Sequence, residues 1–429
     1  VDRVIGFRCA ACDATVDVAQ PLPWRCPRST DDDRHHVLEI VSTVAPLRAV
    51  DDPNPFVAFG PLLAWRAFAR AHGMAEAACD ALVREVDAEV AAVAGTGFVV
   101  TPFRRRRALS EALGFTTDGG VWVKDETRGV GGSHKARHLL TILLHLRAAE
   151  LLGLAPWGAP AARPRLAIAS CGNAALAAAT LARASSWPIE VFVPPWASGA
   201  VTARLGELGA DVVVCPRGEG DPPGDPCVHR FRAAVAAGAV PFSVQGPENA
   251  LCLDGGRTLG WEMTETLGHL LDRVFVQVGG GAFASSLGGA FRLAGIHPRI
   301  HAVQAAGCAP LARAWERSAA VTGGRARAGR SWGECMWPWD EAEPASLADG
   351  ILDDETYDWL GVLAAMSGSG GGPVVATEAQ IVEAHELARR TTDVDVSATG
   401  SAGLAGLLAI RDQVADDERV AVVFSGVRR

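Results

Sequence analysis

Short, continuous apolar runs alternate with longer amphipathic stretches along most of this chain. Val121–Val123, Arg165–Ala169, Ile189–Val193, Asp211–Cys215, Val274–Val278 and Val420–Phe424 are rich in β-branched residues and carry the pattern of buried strands. Between them, apolar positions recur at helical spacing over Arg137–Leu152, Ala174–Ala184, a segment through Leu205 and Leu208, and Arg230–Ala237. Strand, helix, strand in repetition predicts an α/β protein with parallel or mixed sheets and helices on both faces. Residues 56–94 read as helical, through Leu62, Leu63, Ala67 and Phe68, then Ala78, Leu82, Val86 and Val90. Gly/Pro-rich stretches at 155–164 and 216–226 read as loops, and Ser367–Gly372 as a turn.

Composition narrows the class. Hydrophobic residues make up 49% and charged residues 21%, which suits a globular chain with real cores. The net charge of −9, with no basic stripe, argues against a nucleic-acid partner. The one basic run, Arg104–Arg107, reads as a solvated helix start. No signal-peptide pattern and no apolar stretch of bilayer length stand out, so the expectation is a soluble, cytoplasmic protein without a membrane partner. The cysteines are scattered, as in a reducing compartment.

The positive charges are lopsided. The chain has 38 arginines and two lysines, Lys124 and Lys135. Arginine stays protonated, whereas a desolvated lysine can act as an amine nucleophile and form a Schiff base. Lys135 follows Gly131, Gly132, Ser133 and His134, which marks it as the candidate catalytic amine. Lys124 is expected only to end a strand or to pair with Asp125 or Glu126.

Three further loops follow predicted strands, where parallel sheets place ligands. Ser170, Cys171, Gly172 and Asn173 open a helix, where small residues and amides let a carboxylate approach and Asn173 offers a hydrogen bond. Cys171 there reads as a packed thiol. Gly279, Gly280 and Gly281, followed by Ala282 and Phe283, can wrap a phosphate. Ser425 ends the last strand. An amine, a phosphate cup, a partner for a ring oxygen and one for a ring nitrogen meet the needs of one aldehyde cofactor, pyridoxal 5′-phosphate. The four roles fall to Lys135, Gly279–Gly281, Asn173 and Ser425.

From about Thr101 onward the chain resembles the fold-type II pyridoxal-phosphate enzymes, within them threonine synthase and threonine/serine dehydratase. Thr101 and Pro102 resemble the family's entry segment. Lys124, Asp125 and Glu126, then Gly132, Ser133, His134 and Lys135, resemble its Lys-x-Glu … Gly-Ser-Phe-Lys motif. Ser346–Ile351 is similar to the dehydratases' Thr-Ile-Ala-Asp-Gly-Ile, and Phe424–Gly426 to the ring-nitrogen site. His134 departs from the usual Phe and is similar to the Gly-Gly-x-His-Lys of the tryptophan synthase β subunit, which implies a contact with the cofactor phosphate. The resemblance implies two α/β domains: a large one from 51–137 and 251–429, a small one, 138–250, inserted into it, and a homodimer. It implies a small polar amino acid as substrate, with Ser133, Ser170, Cys171 and Gly172 at the substrate. The implied reaction is α-proton removal and elimination by a lyase. A β-replacement synthase taking a second nucleophile is the alternative, and the intact site residues argue against a non-catalytic cofactor carrier.

Residues 1–50 stand apart. Cys9, Cys12 and Cys26 carry part of a zinc-ribbon spacing and are candidate zinc ligands. Ser29 stands where a second pair would be completed, with His35 or His36 as substitutes. The incomplete set favours a small metal-free cap. The tryptophans of Ser331–Trp339 are expected to pack at a domain or subunit interface rather than to form a lid over the substrate.

Overall fold

The computed structural model describes residues 3–43, 47, 49–339 and 344–428. Among the described residues, thirteen strands form three sheets. The first sheet holds β1 (Val4–Cys9), β2 (Thr15–Asp17) and β3 (Leu38–Ser42), all antiparallel, in the order β2-β1-β3. β4 (Phe103–Arg105) and β5 (Gly120–Asp125) belong to the largest sheet. The third sheet is built from β6 (Leu166–Ala169), β7 (Ile189–Val193), β8 (Asp211–Val214) and β9 (Val240–Pro241), all parallel, in the order β8-β7-β6-β9. The chain then returns to the largest sheet with β10 (Arg273–Gln277), β11 (Arg299–Ala305), β12 (Gly372–Ala376) and β13 (Arg419–Phe424). Its order is β12-β11-β10-β13-β5-β4, with only β4 antiparallel.

The sequence pattern explains this layout. β10 is buried at every position, which fits an interior parallel strand covered on both faces. β4 carries Arg104 and Arg105 at the sheet edge, where charge blocks further pairing. The basic run is therefore an edge strand leading into a short helix, Arg107–Ala112, rather than a helix start alone. The helical reading of 56–94 resolves into Pro55–Ala58, Ala64–Ala71 and Glu76–Ala94, broken at Gly60–Pro61 and at Gly73, whose φ is +87°. Ser367–Ser369 end the helix Trp359–Ser369 and Gly372 already begins β12, so that stretch is not simply a turn. No helix among the described residues is long and apolar enough to cross a membrane.

A buried charge cluster joins β5 to two helices. Lys124, fully buried, pairs with Glu262 of the helix Cys252–Leu267 and donates to the Thr101 carbonyl at 2.6 Å. Arg137 of the helix Lys135–Leu151 pairs with Glu126 at 3.0 Å and also with Glu262. The partner of Lys124 is thus Glu262, 138 residues away, rather than Asp125 or Glu126. Each of the two cations and two carboxylates loses its hydration, and their mutual attraction and hydrogen bonds offset that cost, which is how such a cluster survives burial.

Candidate active site

Lys135 begins the helix Lys135–Leu151, immediately after a tight loop in which Gly131 and Gly132 both take φ of +69°. A side chain at either position would strain that turn. The Gly132 carbonyl accepts from Val427 at 2.9 Å, which ties the lysine loop to the end of β13. Ser425, two residues before that tie, accepts from the His134 backbone N–H at 3.2 Å and lies against its Nδ1. Burial lowers the Lys135 ammonium below its usual range, opposed by the charges of Asp353, Cys252 and Asp358.

The His134 ring stacks on Phe283, with centroids 4.3 Å apart and planes inclined by 23°. Phe283 lies in the first turn of the helix Ala282–Ala294, so the stack joins the lysine loop to the glycine loop Gly279–Gly281. Within that loop Gly281 takes φ of +94°, and a Cβ there would fall 2.9 Å from Thr356. A Cβ on Gly279 would fall 2.5 Å from the Asp353 carboxylate. Asn173 starts the helix Asn173–Ala184 behind β6. A Cβ on Gly426 would lie 2.9 Å from the Asn173 amide nitrogen, so the asparagine reaches the Ser425 turn. The four loops singled out in the sequence therefore converge on the carboxyl ends of β6, β10 and β13.

A family model described as pyridoxal-phosphate dependent enzyme matches residues 95–426. The chain belongs to this family. It is 26% identical over 340 residues to a threonine synthase of Synechocystis sp., covering 76% of this chain and 75% of that one. Among solved structures it is similar to maize serine racemase, with TM-score 0.60, 17% identity, and coverage of 81% and 93%. It is similar also to threonine deaminase isoform 2 of Solanum lycopersicum, with TM-score 0.60, 16% identity, and coverage of 91% and 94%. At such identities these two likenesses speak to the fold, which is that of the fold-type II pyridoxal-phosphate enzymes.

The residues present fit the family's cofactor. Burial holds His134 well below the usual imidazole range, so its ring is neutral. Ser425 already accepts the His134 backbone N–H. A neutral imidazole carries one ring proton, and with it on Nε2 the ring presents an N–H donor there. His134 Nε2 is buried and has no hydrogen-bond partner among the described residues, and a phosphate oxygen would satisfy it. Cys171 is held as a thiol, pushed up to about 11 by burial and by Asp225, Asp349 and Asp353, which agrees with a packed rather than nucleophilic role. Ser133 is buried and accepts from the Lys135 amide at 3.4 Å, while Ser170 accepts from Gly172 at 3.3 Å.

The segment Asp353–Asp358 was not legible as part of the site. It packs on the glycine loop: the Asp358 amide donates to the Gly280 carbonyl at 2.8 Å, and Tyr357, the chain's single tyrosine, faces Gly280. Burial raises the Asp353 carboxyl to about 6, and Lys135 and the Gly280 amide draw it back. Burial likewise raises Asp358 to about 7. The one available signal was the run of acids directly after the Ser346–Ile351 motif.

Outside this site, Cys9, Cys12 and Cys26 come together with His36 in the N-terminal sheet. His35 turns away and accepts from Trp359 Nε1 at 3.1 Å. The tryptophans of 331–339 pack within the chain. Trp332 lies 4.6 Å from the His35 ring, and Trp337 lies 3.9 Å from the Arg313 guanidinium.

Proposed function

We propose that this pyridoxal-phosphate enzyme removes the α-proton of a small polar amino acid and expels its β substituent, as a lyase of the threonine dehydratase type. The observation that carries this reading is the convergence of the half-buried Lys135 with a buried hydroxyl, Ser425, at the carboxyl end of β13. In this reading Lys135 would hold the cofactor's aldehyde carbon. Gly279–Gly281, Ala282, Phe283 and His134 would hold its phosphate, Asn173 its ring oxygen and Ser425 its ring nitrogen. When bound, the cofactor supplies an electron sink for the pair left behind by the α-proton.

The chain's own residues do the rest. Once the substrate's amine takes its place on the aldehyde carbon, Lys135 would be free, and burial depresses its amine, so more of it is neutral near pH 7 and able to take the α-proton. The same Nζ then carries that proton to the departing group. Ser425 is a neutral hydroxyl rather than a carboxylate, which leaves a ring nitrogen short of a full proton and favours expulsion of a β substituent over transamination. The Ser170–Gly172 amides before the helix Asn173–Ala184 suit the substrate carboxylate.

Charge bears on the side chain. The groups acting on Cys171 from nearby are carboxylates, Asp225, Asp349 and Asp353. A phosphorylated side chain would be repelled there, which favours a neutral or cationic β substituent over the phosphate ester that threonine synthase chemistry needs. A second reading, β-replacement, is favoured by His134 beside Lys135 after the paired glycines.

The test is to incubate the cofactor-loaded protein with serine, threonine, 2,3-diaminopropionate and the O-acetyl and O-phospho esters, following keto acid, ammonia and α-proton exchange with deuterated water. Keto acid and ammonia from one of these are expected. Product only when a second nucleophile is added would transfer the assignment to β-replacement. Absence of both product and α-exchange would overturn the reading.

A further inference from the structure

We propose that Cys9, Cys12, Cys26 and His36 form a tetrahedral zinc site that holds the N-terminal sheet together. The argument begins with register. β1 ends at Cys9, which pairs with Leu38 of β3, and the Ala10 amide donates to the Val37 carbonyl at 2.9 Å. This pairing carries His36 to the end of β1. A tight turn follows Cys9, closed by the Asp13 amide on the Cys9 carbonyl at 3.0 Å with Asp13 at φ of +61°, and it brings Cys12 back over the strand. Cys26 arrives from the loop after β2. That loop is anchored on the body of the protein by the Ala250 amide, which donates to the Trp24 carbonyl at 2.9 Å.

The resulting geometry is that of a ligand set. The four ligand atoms lie within 4.8 Å of one another. Cys9 Sγ is 3.3 Å from His36 Nδ1, and Cys12 Sγ is 3.6 Å from Cys26 Sγ. A zinc ion bound at ordinary Zn–S and Zn–N lengths in a tetrahedron separates its ligand atoms by about 3.5–3.8 Å. All three cysteines are free thiols, and Cys9, Cys26 and His36 are buried.

Two outer contacts point the same way. His36 Nε2 lies 3.0 Å from the Asp33 carboxylate, which fixes the ring with Nδ1 toward the sulfurs, the usual support of a metal-bound imidazole. The Arg28 amide donates to Cys26 Sγ at 3.4 Å, the kind of outer hydrogen bond that orients a metal ligand. In a metal-free cap the three thiols and the imidazole would have only weak S–H contacts with one another. His36 supplies the place that the absent fourth cysteine leaves open. His35, one residue earlier, holds Trp359 at the start of a helix that follows Asp358, so the site braces the segment packed on the glycine loop.

The test is metal analysis of the full chain purified from zinc-replete cells, with X-ray absorption at the zinc edge and thiol counting by mass spectrometry. One zinc per chain with three sulfur and one nitrogen scatterers is expected. Cys12→Ser should lose at least ten-fold in zinc retention against a chelator, His36→Ala should lose a comparable amount, and His36→Cys should keep the metal. Cys79→Ser, at a buried thiol elsewhere, should leave zinc retention unchanged. If the variants do not fold, the scatterer count on the native chain decides. A Cys12–Cys26 disulfide in the native protein, iron in place of zinc, no metal, or zinc unaffected in a folded His36→Ala would each overturn the proposal.

Discussion

Lys124 and Glu262 form an ion pair that is almost completely shielded from water, the two side chains being 0% and 1% exposed. One of the chain's two lysines is therefore a structural cation, and the other is left as its sole candidate amine. Replacing Lys124 by Met should leave the Glu126 and Glu262 carboxylates with Arg137 alone to face them. Breaking a buried pair in this way costs roughly 3–5 kcal/mol. Urea unfolding followed by circular dichroism should report a loss in that range. A loss within about 0.5 kcal/mol, the size of an ordinary surface change, would contradict the buried-pair description.

Gly426 follows Ser425 at φ of +116°, with Asn173 and Ser397 closing the space where a Cβ would stand. Gly426→Ala should strain the turn by about 1–3 kcal/mol and displace both Ser425 and Asn173. Weakened cofactor binding with a preserved far-ultraviolet spectrum is the expected outcome, measured by titrating pyridoxal phosphate into the variant. Wild-type affinity would show that this turn does not set the site.

Asp358 supplies a pH signature. Burial raises its carboxyl to about 7 from an ordinary value of 3.8, so the folded state holds the proton more tightly than the unfolded state does. Its contribution is fully present below pH 4 and is lost as pH rises toward 7. Asp358→Asn should flatten the pH dependence of unfolding between 4 and 7 and should gain stability relative to wild type above 7. Denaturation midpoints across that window test this, and parallel curves for the two proteins would contradict it. The amide replacing the carboxylate keeps an oxygen for the Gly246 N–H, which donates to Asp358 at 3.0 Å.

Phe283→Ala removes the stack on His134 and opens a cavity beside the glycine loop. Loss of a buried phenyl group costs about 3–5 kcal/mol. Because the ring joins the lysine loop to the glycine loop, which the proposed function gives to the cofactor, the variant should also release pyridoxal phosphate faster than wild type in a stopped-flow exchange experiment. Unchanged release with lowered stability would reduce Phe283 to a core residue.

Much of this arrangement could be read from the chain. Strands with continuous β-branched runs stood out because burial on both faces demands them, and Ile189–Val193 coincides with its apolar run. β12 did not stand out, since Gly372 and Pro373 open it; an edge strand tolerates a proline that an interior one would not. The loops of Lys135, Asn173, Gly279 and Ser425 each carried a local signal. The acids at 353–358 carried only the run itself, because their place over the glycine loop depends on chain packing some seventy residues away. The choice between His35 and His36 was closed to sequence reasoning as well: adjacent residues leading into a strand face opposite ways, and only the β1–β3 register decides which one meets Cys9.

The central claim is that Lys135 alone carries the cofactor. Borohydride reduction of the loaded protein followed by peptide mass mapping tests it directly, because only two lysines compete. A single phosphopyridoxyl group on Lys135, absent from a folded Lys135→Ala variant that has also lost turnover, is the predicted result. Label on Lys124, or turnover retained by Lys135→Ala, would contradict the account.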